Sequence, residues 1–156
     1  MGFHKALNRS LEVLLVTIMS LLVIDVLWQV TSRYLLSSPS SYTDEIAGFL
    51  LIWVGLLGAA YVAGRKEHLA IDILLQKTRE SRRRNLEITI FLCILIFAVT
   101  VMVTGGTWLV YTRFLLDVRS AGLQLPLGYV YLVLPLSGLL MTYYSVYHIK
   151  ELFQSK

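Results

Sequence analysis

Apolar residues collect into four long runs separated by short polar stretches, at Leu11–Tyr34, Ile46–Gly64, Ile88–Tyr111 and Leu127–Tyr147. A helix needs about 20 mostly apolar residues to cross roughly 30 Å of hydrocarbon, and each run meets that length. None alternates apolar and polar positions as a membrane strand would, and an open sheet edge in lipid would leave backbone groups unpaired. The pattern therefore predicts an all-α fold, an integral membrane four-helix bundle. It forms one membrane domain over residues 1–156, with a short interfacial amphipathic segment between helices 2 and 3.

Local signals agree with these starts. Ser41-Tyr42-Thr43-Asp44-Glu45 offers caps and two acids to the positive end of the second helix. Pro126 suits the first turn of the fourth, where a missing N–H costs nothing. Asp25 interrupts the first run at a cost of about 2.5 to 3.5 kcal/mol, yet the surrounding Leu, Ile and Val residues return about 0.3 to 0.6 each, so insertion wins. Lys5 and Arg9 ahead of this run superficially resemble a secretory signal. The run is too long for one and lacks a small-residue cleavage pattern, so it reads as an uncleaved signal anchor.

Lys and Arg are retained on the cytoplasmic side of short loops, which sets the orientation. Eleven basic residues (Lys5, Arg9, Arg65, Lys66, Lys77, Arg79, Arg82, Arg83, Arg84, Lys150 and Lys156) fall on one side, and Arg33, Arg113 and Arg119 on the other. Both termini are expected in the cytoplasm, with Asp44, Glu45 and the loop from Arg113 to Leu125 outside. Aromatic residues form two belts consistent with this: Trp28, Tyr34, Tyr42, Trp108, Tyr111, Tyr129 and Tyr131 at the outer boundary, Tyr61, Tyr143, Tyr144 and Tyr147 at the inner.

Composition changes the picture only by exclusion. A hydrophobic content of 56% exceeds the roughly 45–50% of a soluble domain. The net charge of +4 could suggest nucleic acid, but the basic residues sit in clusters between apolar runs, where anionic membrane lipids explain them better; no nucleic-acid partner is expected. The single cysteine, Cys93, lies inside an apolar run and can form no intramolecular disulfide.

Candidate chemistry starts from Asp25, since an acid inside a span is a functional hypothesis by default. Gln29 and Arg33 follow it at four-residue intervals on one helix face, a stripe that cannot face lipid. Two readings stay open: an ion or proton site, or a polar contact to another helix or subunit. In the second helix Gly48, Gly55, Ala59 and Ala63 recur at heptad-like spacing with Gly58 alongside, which allows close backbone approach to a neighbour. Trp53 sits near mid-depth, where its indole wants a hydrogen-bond partner or an interface. Thr100, Thr104 and Thr107 can bond to their own helix, and Pro135 with Gly138 should kink the fourth.

Beyond the second helix, His68 and Asp72 are four apart and could pair on a short interfacial helix. With no H-E-x-x-H motif and no nucleophile pattern, no catalytic residue, metal or cofactor is expected. Arg82, Arg83 and Arg84 suit lipid headgroups, each contributing about 1 kcal/mol near the surface. Asp117 and Arg119 are candidate rim contacts in the outward loop, or solvated loop charges. Transporters with broken-helix ion sites carry them as paired repeats, and no internal repeat is evident here.

The order Arg33-Tyr34, Thr43-Asp44-Glu45, Trp53, Gly58-Ala59-Ala60-Tyr61, Arg65, His68 and Asp72, followed by the stretch Leu125 to Gly138, resembles the small membrane subunit (DctQ-like) of tripartite ATP-independent periplasmic (TRAP) transporters. The resemblance covers nearly the whole chain. It implies three partners in one system: a periplasmic substrate-binding protein, a large multi-span permease that works as an elevator, and this small subunit as its brace in the bacterial inner membrane. It further implies a cation gradient, usually sodium, and import of organic acids such as dicarboxylates, sialic acids or other sugar acids. Small and large subunits would be separate chains. The rival reading of the residues is a self-sufficient small exporter exchanging protons at Asp25.

Overall fold

The computed structural model describes residues 2–35, 41–65 and 80–154. It is helical almost throughout: α1 (Gly2–Tyr34), α2 (Ser41–Arg65), α3 (Glu80–Phe97), a π-helical stretch (Ala98–Gly105), α4 (Gly106–Leu115), α5 (Leu127–Tyr131) and α6 (Val133–Gln154). Because α3, the π-helical stretch and α4 run on without a break, and α5 continues into α6, the elements make four rods. All four are long and apolar enough to cross a membrane: Ala6–Tyr34, Tyr42–Arg65, Arg84–Leu115 and Leu127–Gln154. The fold is an all-α, four-helix membrane bundle. Among the described residues there is no strand, only an isolated antiparallel bridge between Arg119 and Pro126. The expected amphipathic segment between the second and third rods lies outside the described residues.

The helices α1, α2, α6 and α3 pack in that order, side by side, with the π-helical stretch also against α6. One apolar cluster joins Leu11 and Ile18 of α1 to Leu57 of α2 and to Val133 and Tyr144 of the fourth rod. A second joins Ala60 and Ala63 to Ala98, Met102 and Met141. Lipid is as apolar as these side chains, so the association depends on close van der Waals packing rather than on escape from water. That is why glycines mark the crossings. A Cβ on Gly138 would lie 2.7 Å from Met102 Cβ and 3.1 Å from the backbone nitrogen of Val103, and one on Gly106 would lie 3.1 Å from the Pro135 nitrogen.

Two features of the rods have identifiable causes. Pro135 has no N–H to give the Tyr131 carbonyl, and the helix is interrupted at Leu132, between α5 and α6. The ladder resumes with a long 3.3 Å bond from Leu136 N–H to the Leu132 carbonyl. The π-helical stretch has no counterpart in the hydrophobic pattern, which reads as ordinary helix there. Thr104 donates to the carbonyl of Val99, five residues back, at 2.9 Å, whereas Thr100 and Thr107 donate four residues back, to Ile96 and Val103. The wider turn sits against the Pro135–Gly138 segment, so the irregular parts of the third and fourth rods face each other. Pro126 stands one place earlier than expected, as the cap with extended backbone (ψ 117°), and Leu127 begins the helix.

Candidate functional site

The bundle has two polar ends, and between them Asp25 stands in the α1 span. At the end carrying residues 116–126, here the loop end, Glu45 does more than complement a helix dipole. Its carboxylate accepts the N–H of Gly122 at 2.6 Å and of Leu123 at 2.9 Å. Leu127 N–H to the Val118 carbonyl and Ser120 N–H to the Leu125 carbonyl, both 2.9 Å, close the loop on itself. Asp117 (φ 43°) and Gln124 (φ 54°) take the left-handed backbone its tight corners require. Glu45 is 77 residues from Gly122 in sequence, and no local pattern announces the contact.

The other loop-end charges pair off. Arg33 approaches Asp44 at 3.8 Å with both side chains about half exposed, a contact worth little in stability but one that draws Arg33 to α2. Asp117 and Arg119 pair with each other at 3.1 Å. Arg113 lies over the ring of Tyr131 at 5.7 Å. The stripe read along α1 is thus divided: Arg33 serves the loop end, Gln29 is half-buried, and Asp25 is half-buried two turns deeper. One carboxylate oxygen of Asp25, Oδ2, is buried without a hydrogen-bond partner.

At mid-depth, Trp53 Nε1 donates to the carbonyl of Val130 at 3.1 Å. The indole therefore reaches the segment next to the Leu132 interruption, where the backbone ladder is weakest. Replacing Trp53 with Phe keeps a ring and removes the donor. The expected loss is about 0.6 kcal/mol, the average for interhelical hydrogen bonds in membranes, read as a lowered unfolding midpoint of the purified chain in detergent.

The small residues of α2 divide as well. Ala60, Ala63 and Gly64 face the bundle, and a Cβ on Gly64 would sit 2.8 Å from the Tyr144 ring. Gly48 and Gly55, with Ala59, lie on an exposed face, and a Cβ on Gly48, Gly55 or Gly58 would meet nothing within 4 Å.

The opposite, terminal end holds a cluster that sequence reasoning missed. Tyr144, fully buried, donates to Asn8 Oδ1 at 2.5 Å, and His148 Nε2 lies 3.2 Å from the Gly64 carbonyl. The His4 ring lies 4.6 Å from that of Tyr147. These contacts tie α1, α2 and α6 together. The recurrence of Tyr143, Tyr144 and Tyr147 suggested only a lipid belt, and their polar partners are distant in sequence. Arg65 bonds Tyr61 OH at 2.9 Å, and Arg84 lies over Phe153 at 5.8 Å. His68 and Asp72 lie outside the described residues, as do the side chains of Arg82 and Arg83. Among the described residues, no cluster of His, Cys, Asp and Glu could hold a metal.

Comparison with known proteins places this arrangement. The profile of the DctQ component of tripartite ATP-independent periplasmic transporters matches residues 22–155, from the middle of α1 to the end of α6. The chain belongs to the DctQ family. It is 28% identical over 102 residues to the sialic acid TRAP transporter small permease protein SiaQ of Vibrio cholerae, covering 65% of this chain and 59% of that protein. It is 27% identical over 136 residues to a putative TRAP transporter small permease protein of Haemophilus influenzae, 87% of this chain and 83% of that one. A 73-residue segment is 32% identical to the sialic acid TRAP transporter permease protein SiaT of Haemophilus influenzae, covering 44% of this chain and 12% of that protein. This DctQ protein is thus a TRAP small permease subunit, a multi-pass protein of the bacterial inner membrane. The Glu45 loop clamp, the Trp53 bond and the Tyr144 cluster all fall within its matched segment or pack against it.

Proposed function

We propose that this DctQ chain is the static brace of a cation-driven organic-acid importer. It packs beside a large permease whose mobile part carries the solute, and it offers its loop end to a periplasmic binding protein. The carrying observation is how the chain uses its intramembrane polar groups. Thr17, Thr31, Thr100, Thr104, Thr107, Ser137 and Thr142 donate to carbonyls of their own rods, and Trp53 ties α2 to the fourth. Groups used this way stiffen a wall and leave little to line a path. Enlarging the fixed wall lets a moving domain displace its solute across the bilayer without dragging the complex along.

The imbalance of eleven basic residues against three supports placing the terminal end in the cytoplasm and the Glu45-clamped loop outside, where a binding protein would dock. Asp117 and Arg119 would be rim contacts of that dock, and Arg82, Arg83 and Arg84 would hold anionic headgroups. The exposed face with Gly48, Gly55 and Ala59 would receive another helix. Sodium is the coupling ion of this reading and a carboxylate-bearing solute, such as a sialic acid, dicarboxylate or other sugar acid, its cargo; the chain itself performs no catalysis.

Vesicles test this directly. With this chain alone, a sodium gradient should drive no solute uptake; adding the permease and the binding protein should produce it. The unpartnered oxygen of Asp25 favours one rival, a proton-coupled exporter, which requires flux from the lone chain that Asp25→Asn abolishes. Flux of that kind would overturn the scaffold reading.

A further inference from the structure

Of the two acids in α1, Glu12 lies near the terminal end and Asp25 at mid-span, and neither the helix ladder nor the loop clamp uses Asp25. It borders a recess of about 380 Å³ between α1 and α2, otherwise lined by Leu21, Ile24, Trp28, Ile46 and Leu50. The five other walls are apolar or, in Trp28, largely so. Oδ2 is buried and unpartnered, and the nearest cation along the stripe, Arg33, is engaged with Asp44 roughly 12 Å further along the axis. Lipid tails would cover Ile24 and Trp28 well but have no proton to donate to the carboxylate.

We propose that this recess is a socket for the large permease, filled by a side chain that donates a hydrogen bond to Asp25: a hydroxyl, an amide or a basic group. The inference rests on the scaffold reading above, which supplies a helical partner at this depth. Charge and hydrogen-bond complementarity select the occupant. An acid on an apolar floor accepts a donor carried on an apolar helix, and that combination belongs to a membrane-spanning protein rather than to lipid or to a soluble binding protein. Asp25 then fixes the register of the small subunit against the large one, as a single polar residue does in a helical interface otherwise made of interchangeable apolar contacts.

The test uses the complex formed by co-expressing this chain with its permease in native membranes. A photoreactive benzoylphenylalanine replaces Ile24 at the rim of the recess or, as control, Val23, which points away from it around the helix. Irradiation should join the Ile24 position to the permease, identified by peptide mass spectrometry, and should not do so from Val23. Asp25→Leu should cut that cross-link about threefold, the factor for losing one interhelical hydrogen bond of average strength. Asp25→Asn, which keeps an acceptor, should stay close to the unmodified chain. Leucine favours insertion, so loss of the helix would not account for the effect.

Cross-links from Ile24 to lipid alone or to a second copy of this chain would overturn the socket, as would an undiminished yield in Asp25→Leu. Either result leaves the scaffold reading standing, provided the permease still co-purifies. A chain that purifies without the permease and moves solute by itself removes the scaffold reading, and the socket with it.

Discussion

Gly138→Ala should destabilise the purified chain markedly, while the chemically identical Gly55→Ala should leave it unchanged or slightly more stable. The added methyl at 138 would stand 2.7 Å from Met102 Cβ and 3.0 Å from Val103 Cγ2, with the Val103 backbone nitrogen at 3.1 Å behind them. A side-chain tip could rotate away, but a Cβ and a backbone nitrogen can retreat only if the third rod moves. That rod is already in its π-helical stretch here, and overpacking of this kind costs about 1–3 kcal/mol. At Gly55 the methyl meets nothing within 4 Å, and alanine gains up to about 1 kcal/mol over glycine in a helix interior. Unfolding midpoints of the two variants in one detergent decide the matter. Equal midpoints would mean that the third and fourth rods do not approach as closely as described.

The same pair separates contacts within the chain from contacts with a partner. If another helix rests on the exposed face of α2, Gly55→Ala should be silent in the isolated chain and harmful in the assembled complex. Gly138→Ala should be harmful in both.

That contrast also shows where the sequence is legible. Four membrane helices follow from run length and from the lack of alternation, because an unbroken apolar run of that length satisfies its backbone in lipid as a helix, whereas a barrel strand would be short and alternating. Trp53 could be singled out because an indole at mid-depth needs a partner, though Val130 could not be named, since the pairing depends on how the fourth rod breaks. The pattern marked small residues on α2 without saying which side they serve. Gly48 and Gly55 look like Ala60 and Ala63 in sequence, yet only the latter pair faces the bundle. In lipid both faces are apolar, so periodicity loses its power to distinguish inside from outside.

The π-helical stretch escaped for a related reason: Thr and Gly at 104–107 permit a wide turn without demanding one, and the Pro135–Gly138 segment it packs against lies on another rod. The cluster of Asn8, Tyr144 and His148 joins residues from opposite ends of the chain, and only the fold brings them together.

Glu45→Ala should release the loop between α4 and α5 while leaving the four rods in place. Two backbone N–H groups, of Gly122 and Leu123, lose their acceptor at once, and the backbone bonds that remain run within the loop, between Ser120 and Leu125 and between Val118 and Leu127, and to the end of α4, from Val118 to Arg113 and from Asp117 to Phe114. Those bonds close a small ring but do not fasten it to α2. Hydrogen exchange reads the difference: the Gly122 and Leu123 amides should exchange roughly tenfold faster in the variant, with the amides of α2 and α6 unaffected. Glu45→Gln keeps one carbonyl oxygen as acceptor and should fall between the two, because the charge-assisted bonds become one neutral bond. If this loop receives the binding protein, the ordering lost in Glu45→Ala must be restored on each docking event. Uptake by the assembled transporter should then need more binding protein for half-maximal rate, with the maximal rate retained. An unchanged exchange rate at Gly122 would show that the loop holds its shape without α2, and the docking prediction would fall with it.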